Sequence, residues 1–166
     1  MASCLVGSEM CIRDRPYYLC QGEQTVSFWV PLDYIPRDRS IEYIAGSHAW
    51  DKNFKPQRFD GSDLFEGDKS EVVPDIDNMR DQFNILGWEM EPGDAVAFHF
   101  RTLHGAPANS SKSRRRVISI RWVGDDATFV KRLGPTSPSF PELTFEDGEP
   151  FAGEDFPILF VKNKIE

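Results

Sequence analysis

The chain has 166 residues, a formal net charge of -8 and a pI near 4.9. Because 40% of its residues are hydrophobic and 13% aromatic, it can bury the core of one globular domain. The acidic balance disfavours nucleic acid and anionic membrane surfaces, and no apolar run reaches the roughly 18 residues that cross a bilayer, so we expect small-molecule partners.

The first fifteen residues differ in character from the rest. The stretch LVGSEMCIRDR, from Leu5 to Arg15, resembles the translation of a transposase adapter used in library sequencing, with Glu9 to Asp14 matching GAG ATG TGT ATA AGA GAC. The alternative is a natural, slightly amphipathic segment. We interpret residues 1–15 as an adapter artefact and residues 16–166 as the C-terminal portion of a single domain.

The cysteines indicate the compartment. Cys4, Cys11 and Cys20 are odd in number and lack metal-site spacing, which argues against both a disulfide framework and a zinc site. The start also lacks the basic flank and apolar stretch of a secretory signal. We therefore expect a cytoplasmic protein.

Strand-like segments alternate with turns along the chain. The run TVSFWVPL at 25–32 is rich in β-branched and aromatic residues and predicts a strand, and a second short strand at 41–45 ends at the turn Gly46-Ser47-His48. Residues 50–82 are dense in Asp, Lys, Gly and Pro, which predicts a surface insertion with one helical turn near 76–80.

The second half continues this pattern. Residues 84–90 and 95–100, separated by the turn Pro92-Gly93-Asp94, predict a hairpin. A strong strand follows at 115–123, and the tail after Asp125 shows little periodicity apart from 156–161. Short strands separated by Gly and Pro turns, without long helices or repeats, predict an all-β barrel or jelly roll.

Candidate chemistry concentrates between Pro92 and Trp122. His104 ends a strand before Gly105, where a barrel mouth would let a metal reach it; the alternative is a structural histidine. We interpret His99 as a packed strand residue with a satisfied hydrogen bond, His48 as structural, and Asp94 as fixing the turn after Gly93.

The strand at 115–123 separates polar from apolar residues. One face carries Arg115, Val117, Ser119 and Arg121, and the other carries Ile118, Ile120 and Trp122. If the polar face lines a cavity, Arg115 and Ser119 can hold a carboxylate through a guanidinium and a hydroxyl. The alternative is that residues 114–116 form a solvated basic patch.

The segment from Pro16 to about Asp126 resembles the phytanoyl-CoA dioxygenase family in the order and spacing of its motifs. That family carries HxDxPYY, a strand with a central Trp before PLD, then GSH, PGD, LHG, an Asn and an RR segment. Here these read DRPYY from Asp14, VSFWVPLD from Val26, GSH at Gly46, PGD at Pro92, LHG at Leu103, Asn109, and RRRVIS from Arg114. The resemblance implies a double-stranded β-helix (a jelly roll, or cupin-like barrel), here expected to be incomplete at the N-terminus.

The resemblance also implies an iron(II) site of two histidines and one carboxylate. Position by position, His104 is the distal histidine ligand and Asp14 the carboxylate ligand. Arg115 takes the place of the 2-oxoglutarate-binding arginine, and Trp29 that of a residue lining the cosubstrate pocket. The first histidine of the motif falls at position 12, where this sequence has Ile12.

The implied activity is an iron(II)- and 2-oxoglutarate-dependent dioxygenase. It converts 2-oxoglutarate and O₂ to succinate and CO₂ while oxidising a C–H bond, which makes the protein a hydroxylase of a small organic or acyl substrate. The isoleucine at position 12 predicts that this sequence is inactive. The alternatives are a non-catalytic, cupin-like small-molecule binding module and a pseudoenzyme remnant. Neither the substrate nor the oligomeric state follows from the sequence.

Overall fold

The computed structural model describes residues 12–56, 67, 69–107, 113–132, 136, 140 and 142–160. Its eight strands are β1 (Cys20–Gln21), β2 (Thr25–Pro31), β3 (Glu42–Ile44), β4 (Ile85–Leu86), β5 (Val96–Phe98), β6 (His104–Gly105), β7 (Val117–Val123) and β8 (Thr128–Phe129). Four 3-10 helices span Arg15–Tyr17, Arg37–Arg39, Ser47–Ala49 and Asp77–Gln82. The described residues contain no α-helix, so the all-β prediction is confirmed.

The first sheet has the order β5-β2-β7, with both pairs antiparallel. Its central strand β2 alternates in burial, and Thr25, Ser27, Trp29 and Pro31 point inward. This alternation follows from the period of two along a strand, since one face packs on the core. The strand predicted at 25–32 is therefore confirmed.

The second sheet has the order β4-β3-β6 and faces the first. Tyr43 of β3 lies opposite His104 of β6, and an isolated bridge from Ile12 adds to the other side of His104. Between the sheets, Trp29 and Tyr43 pack in one buried cluster that also contains Ile35, Ile41 and Met90. Two sheets closed over one apolar interior form the expected jelly roll, or double-stranded β-helix.

The hairpin predicted for residues 84–100 is wrong, because the two strands belong to different sheets. Ile85–Leu86 pairs with β3, whereas Val96–Phe98 pairs with β2. The turn at Gly93 closes only a local loop, in which Asp94 accepts from the Glu91 amide at 2.8 Å. The chain instead crosses between the sheets, which buries Met90 in the shared interior.

The insertion after Trp50 docks at both described ends. Phe54 and Ile76 are buried against Ile44 and Leu103, and the predicted helical turn is the 3-10 helix Asp77–Gln82. At the other end of the molecule, β1 pairs with β8 in a small third sheet. Among the described residues, no helix has the length and apolar character needed to span a bilayer.

Strand β7 is the edge of its sheet within the described part of the chain, since β2 alone pairs with it. Its outward side chains Ile118, Ile120 and Trp122 are exposed. Trp122 meets Phe28 of β2 edge-on, with ring centroids 6.1 Å apart. The outer face of this sheet is therefore an exposed apolar surface.

Candidate metal centre

His104 lies between the two sheets with its imidazole held in one tautomer. Its side chain is buried, and the Phe98 ring of the opposite sheet lies 4.8 Å away between centroids. Nδ1 donates to the Thr102 carbonyl at 2.9 Å, which requires the proton on Nδ1. In the neutral imidazole this leaves the lone pair on Nε2, where a histidine ligand to a metal needs it.

Asp14 faces that lone pair. Its Oδ1 lies 3.6 Å from His104 Nε2, and both side chains are buried. Ser27 Oγ donates to the other carboxylate oxygen, Oδ2, at 2.5 Å. Ser27 thus fixes the carboxylate so that its free oxygen and the imidazole nitrogen converge on one point.

Ile12, the third residue beside this pair, has a hydrocarbon side chain that offers no atom to a metal. Its amide donates to the His104 carbonyl at 2.7 Å, and the His104 amide donates to the Ile12 carbonyl at 2.9 Å. Directly opposed residues of an antiparallel pair point to the same face, so the side chain at position 12 lies beside that of His104. The described residues hold no group of three or more His, Cys, Asp or Glu that could bind a metal. Asp14 and His104 thus fit iron(II) as two donors, and position 12 is placed for the third.

A tyrosine and an arginine stand behind the carboxylate. Arg121 lies opposite Ser27 on the inward face of β7, and its guanidinium is 4.5 Å over the Tyr18 ring while Nε donates to the Tyr18 hydroxyl. Burial, and after it the charge of Asp14, raises the pKa of Tyr18. The phenol therefore stays protonated beside Asp14, and Arg121 brings positive charge to it.

Arg13, between Ile12 and Asp14, connects the candidate metal centre to the insertion. It is buried and donates to the main-chain carbonyls of Ser47 and Lys52, each at 2.5 Å, with its guanidinium 4.6 Å over the Phe54 ring. Burial lowers its pKa to about 10. The Arg13 side chain packs against the insertion, whereas the side chains of Ile12 and Asp14 lie beside His104.

The expected cosubstrate residues divide into two groups. Trp29 is buried and lies directly opposite Ser119, which is exposed. Arg115 precedes β7, and its Nη1 donates to the carbonyls of Pro107 at 2.7 Å and Arg39 at 3.0 Å. The structure therefore brings Trp29 and Ser119 together and ties Arg115 to main chain.

The three consecutive arginines do not behave as one patch. Arg115 is half-buried, whereas Arg114 and Arg116 are exposed. Arg116 pairs with Asp33 at 2.7 Å. Among the three, Arg115 alone is partly buried, and its guanidinium bonds to main-chain carbonyls.

The other histidines have structural partners. His99 Nε2 lies 2.8 Å from the Glu23 carbonyl, and Nδ1 accepts from the Arg101 amide at 3.0 Å, so its predicted hydrogen bonding is confirmed. His48 is exposed and contacts the His99 ring, with centroids 5.9 Å apart. Asn109, one of the motif residues, lies outside the described residues, as do Cys4 and Cys11.

Sequence reasoning alone missed Ser27 and Tyr18 as neighbours of the Asp14 carboxylate, and Arg121 as the partner of Tyr18. Ser27 had a usable signal, because it alternates with Thr25 and Trp29 on one face of β2. The pairing of Tyr18 with Arg121 joins positions far apart in the chain, and no local pattern predicts it.

Comparison with known proteins identifies the family of this chain. The family model described as "Phytanoyl-CoA dioxygenase (PhyH)" matches residues 10–117. A curated protein of Caenorhabditis elegans, "Probable phytanoyl-CoA dioxygenase", is 33% identical over 75 residues, which make up 45% of this chain and 23% of that protein.

Solved structures share the fold. The non-heme alpha ketoglutarate dependent carbocyclase SnoK from nogalamycin biosynthesis is 26% identical, with a TM-score of 0.63 over 90% of this chain and 54% of that one. The epimerase SnoN in complex with Fe3+, alpha ketoglutarate and nogalamycin RO is 19% identical, with a TM-score of 0.67 over 90% and 56%. The chain thus spans about half the length of these enzymes and under a quarter of the curated protein.

Proposed function

Because the chain belongs to the phytanoyl-CoA dioxygenase family, we propose that it derives from an iron(II)- and 2-oxoglutarate-dependent dioxygenase that hydroxylates a small organic or acyl substrate. The observation that carries the proposal is the pair formed by His104 Nε2 and Asp14 Oδ1, 3.6 Å apart and buried between two sheets. Position 12 shares their face. The metal and 2-oxoglutarate bound in SnoN are consistent with this proposal.

The roles of the protein groups follow from their contacts. His104 and Asp14 would hold iron(II), and a histidine at position 12 would supply the third ligand of a face that leaves coordination sites open. When bound, iron(II) with 2-oxoglutarate supplies the oxidation of a C–H bond by O₂. The Thr102 carbonyl fixes the His104 tautomer, and Ser27 fixes the Asp14 carboxylate. The aromatic walls Phe98 and Trp29 exclude water.

We assign cosubstrate binding to Trp29, Ser119 and Arg115. Trp29 forms the wall opposite Ser119, and Arg115 would exchange its bonds to main-chain carbonyls for the distal carboxylate of 2-oxoglutarate. The partners in this proposal are O₂ and a small-molecule substrate, in a cytoplasmic enzyme. Nucleic acid and membrane are not among them.

We further propose that this sequence is impaired because residues 1–15 derive from an adapter in which Asp14 happens to fall at the carboxylate ligand position, and that residues 16–166 are the C-terminal portion of one oxygenase domain. Isoleucine has no lone pair to donate, and two protein ligands hold iron(II) weakly. The same residue favours a second candidate, a non-catalytic, cupin-like binding module or pseudoenzyme remnant. The native codon at position 12 separates damage from a true pseudoenzyme.

The first test is iron binding by the Ile12→His chain. The new imidazole lies beside His104 and supplies the missing nitrogen donor, so we expect anaerobic titration with iron(II) to show at least tenfold tighter binding than in the original chain. Ile12→Val is the matched control and should leave affinity unchanged. Adding His104→Ala to Ile12→His should remove the gain.

The second test is turnover. Succinate formation is measured on a protein in which the gene's native N-terminal region has been joined to Pro16. An iron-loaded protein of this kind that makes no succinate, with or without candidate substrates, would overturn the oxygenase proposal and favour the binding module.

A further inference from the structure

Tyr43 places an unpartnered hydroxyl in the interior beside the candidate metal centre. Its residue is 3% exposed, and its oxygen has no hydrogen-bond partner within the described structure. A buried hydroxyl normally finds an acceptor, because leaving it unpaired destabilises the fold. A tyrosine kept at such a position points to an acceptor that arrives with a bound molecule.

The surroundings of Tyr43 define where that acceptor would lie. Tyr43 stands directly opposite His104 on the neighbouring strand, so both side chains leave the sheet on the same face. The Tyr43 ring lies 6.1 Å from the His104 ring and 4.9 Å from the Phe98 ring, between centroids. Trp29 belongs to the same buried cluster. The Tyr43 ring is therefore packed among aromatic rings beside His104, and its hydroxyl is buried.

The chemistry of the hydroxyl selects the acceptor. A tyrosine hydroxyl has a pKa of about 10 in an ordinary setting, so the phenol is a neutral donor at physiological pH. A neutral donor in an apolar enclosure binds an anionic oxygen most strongly, because a charge-assisted hydrogen bond is about twice as strong as a neutral one. A hydrocarbon substrate offers no such oxygen, whereas the carboxylate of a 2-oxo acid does.

We propose that the Tyr43 hydroxyl donates a hydrogen bond to the metal-end carboxylate of the 2-oxo acid, which makes Tyr43 a binding residue for the cosubstrate. This role rests on the proposed function. In this arrangement Tyr43 binds the carboxylate beside His104, whereas Arg115 is assigned the distal carboxylate.

The test uses opposite effects on stability and affinity. Tyr43→Phe removes the unpaired hydroxyl and keeps the ring, so the unliganded chain should unfold at a higher temperature than its parent. In the Ile12→His chain loaded with iron(II) under anaerobic conditions, the same substitution should weaken 2-oxoglutarate binding about 10- to 100-fold by calorimetry. Tyr34→Phe, at an exposed tyrosine, is the matched control and should change neither quantity.

A second ligand identifies which carboxylate is bound. 2-Oxobutyrate has the metal-end carboxylate but no distal one, so Tyr43→Phe should weaken both ligands by a similar factor. A loss confined to 2-oxoglutarate, unchanged affinity for both ligands, or a lower unfolding temperature of the unliganded Tyr43→Phe chain would overturn the proposal. Absence of 2-oxoglutarate binding while Tyr43 is intact would refute the proposed function itself.

Discussion

The main chain fixes the orientation of the His104 imidazole, which is a proposed metal ligand. Because Nδ1–H donates to the Thr102 carbonyl, the lone pair of the neutral imidazole lies on Nε2, and Ser27 binds one oxygen of Asp14 and leaves the other to face Nε2. Neither contact needs a bound ion. The two side chains are therefore oriented without a bound ion, and under the proposed function the donor missing from the metal site is the side chain at position 12.

At the same scale, Arg115 should differ from its neighbours. If Arg115 binds the distal carboxylate as proposed, Arg115→Ala removes one partner of that ion pair, which typically costs about 3–5 kcal/mol, or roughly two to three decades in affinity. In a full-length protein repaired at position 12, we expect it to weaken 2-oxoglutarate binding far more than Arg114→Ala or Arg116→Ala. Similar losses of 2-oxoglutarate affinity in all three variants would support the alternative that residues 114–116 form a solvated basic patch.

Residues that carry a motif were accessible from the sequence, and residues defined by a contact were not. His104, Asp14 and Trp29 occur at fixed spacings in motifs, and the structure places them all on inward faces. Tyr43 was not predicted as a site residue because its position follows from the register between β3 and β6, which no local pattern specifies. Its unpaired hydroxyl becomes visible only once the interior is assembled.

Among the elements, the entry to β7 depends on an ion pair with the turn after β2. The Arg116 side chain reaches Asp33 Oδ1 at 2.7 Å, and the Arg116 amide donates to Oδ2 at 2.8 Å. These hydrogen bonds lower the pKa of Asp33 to about 2. Since the folded-state pKa lies below the unfolded value of about 3.9, the pair stabilises the fold above about pH 4, and this contribution disappears as the pH falls toward 2.

We therefore expect Asp33→Asn to be less stable than the original chain at neutral pH and nearly equal to it at pH 2. Urea unfolding midpoints of both proteins between pH 7 and pH 2 measure the gap. Asp38→Asn, at another exposed aspartate, should show no comparable pH-dependent gap. A gap for Asp33→Asn that persisted undiminished at pH 2 would contradict the ion-pair explanation.

Long, strongly patterned elements were predictable, and their partners were less so. Strands β2 and β7 follow from β-branched alternation, and they pair over seven positions. The predicted hairpin failed because a turn signal shows that the chain reverses but not which sheet receives the next strand. Met90, buried between the sheets, makes the crossing favourable through long-range packing that the turn residues do not encode.

At the scale of the whole molecule, the two sheets share one interior but differ in what covers their backs. The β3 sheet is covered by the ends of the insertion, where Phe54 and Ile76 pack against Ile44 and Leu103. The β2 sheet instead presents Ile118, Ile120 and Trp122 to solvent. The interior is therefore separated from solvent by the β3 sheet and the insertion on one side, and by the β2 sheet alone on the other.

The exposed edge strand β7 of this sheet favours self-association of the protein. Among the described residues β7 is an edge strand with exposed apolar side chains, and such an edge is a template on which another copy can add a strand, so colloidal stability should fall as concentration rises. Ile120→Lys puts a charge in the middle of this surface and should lower static light scattering at high concentration. Ile158→Lys makes the same change at an exposed site outside the strands and should not help. If both variants scatter as the parent does, self-association proceeds through another surface.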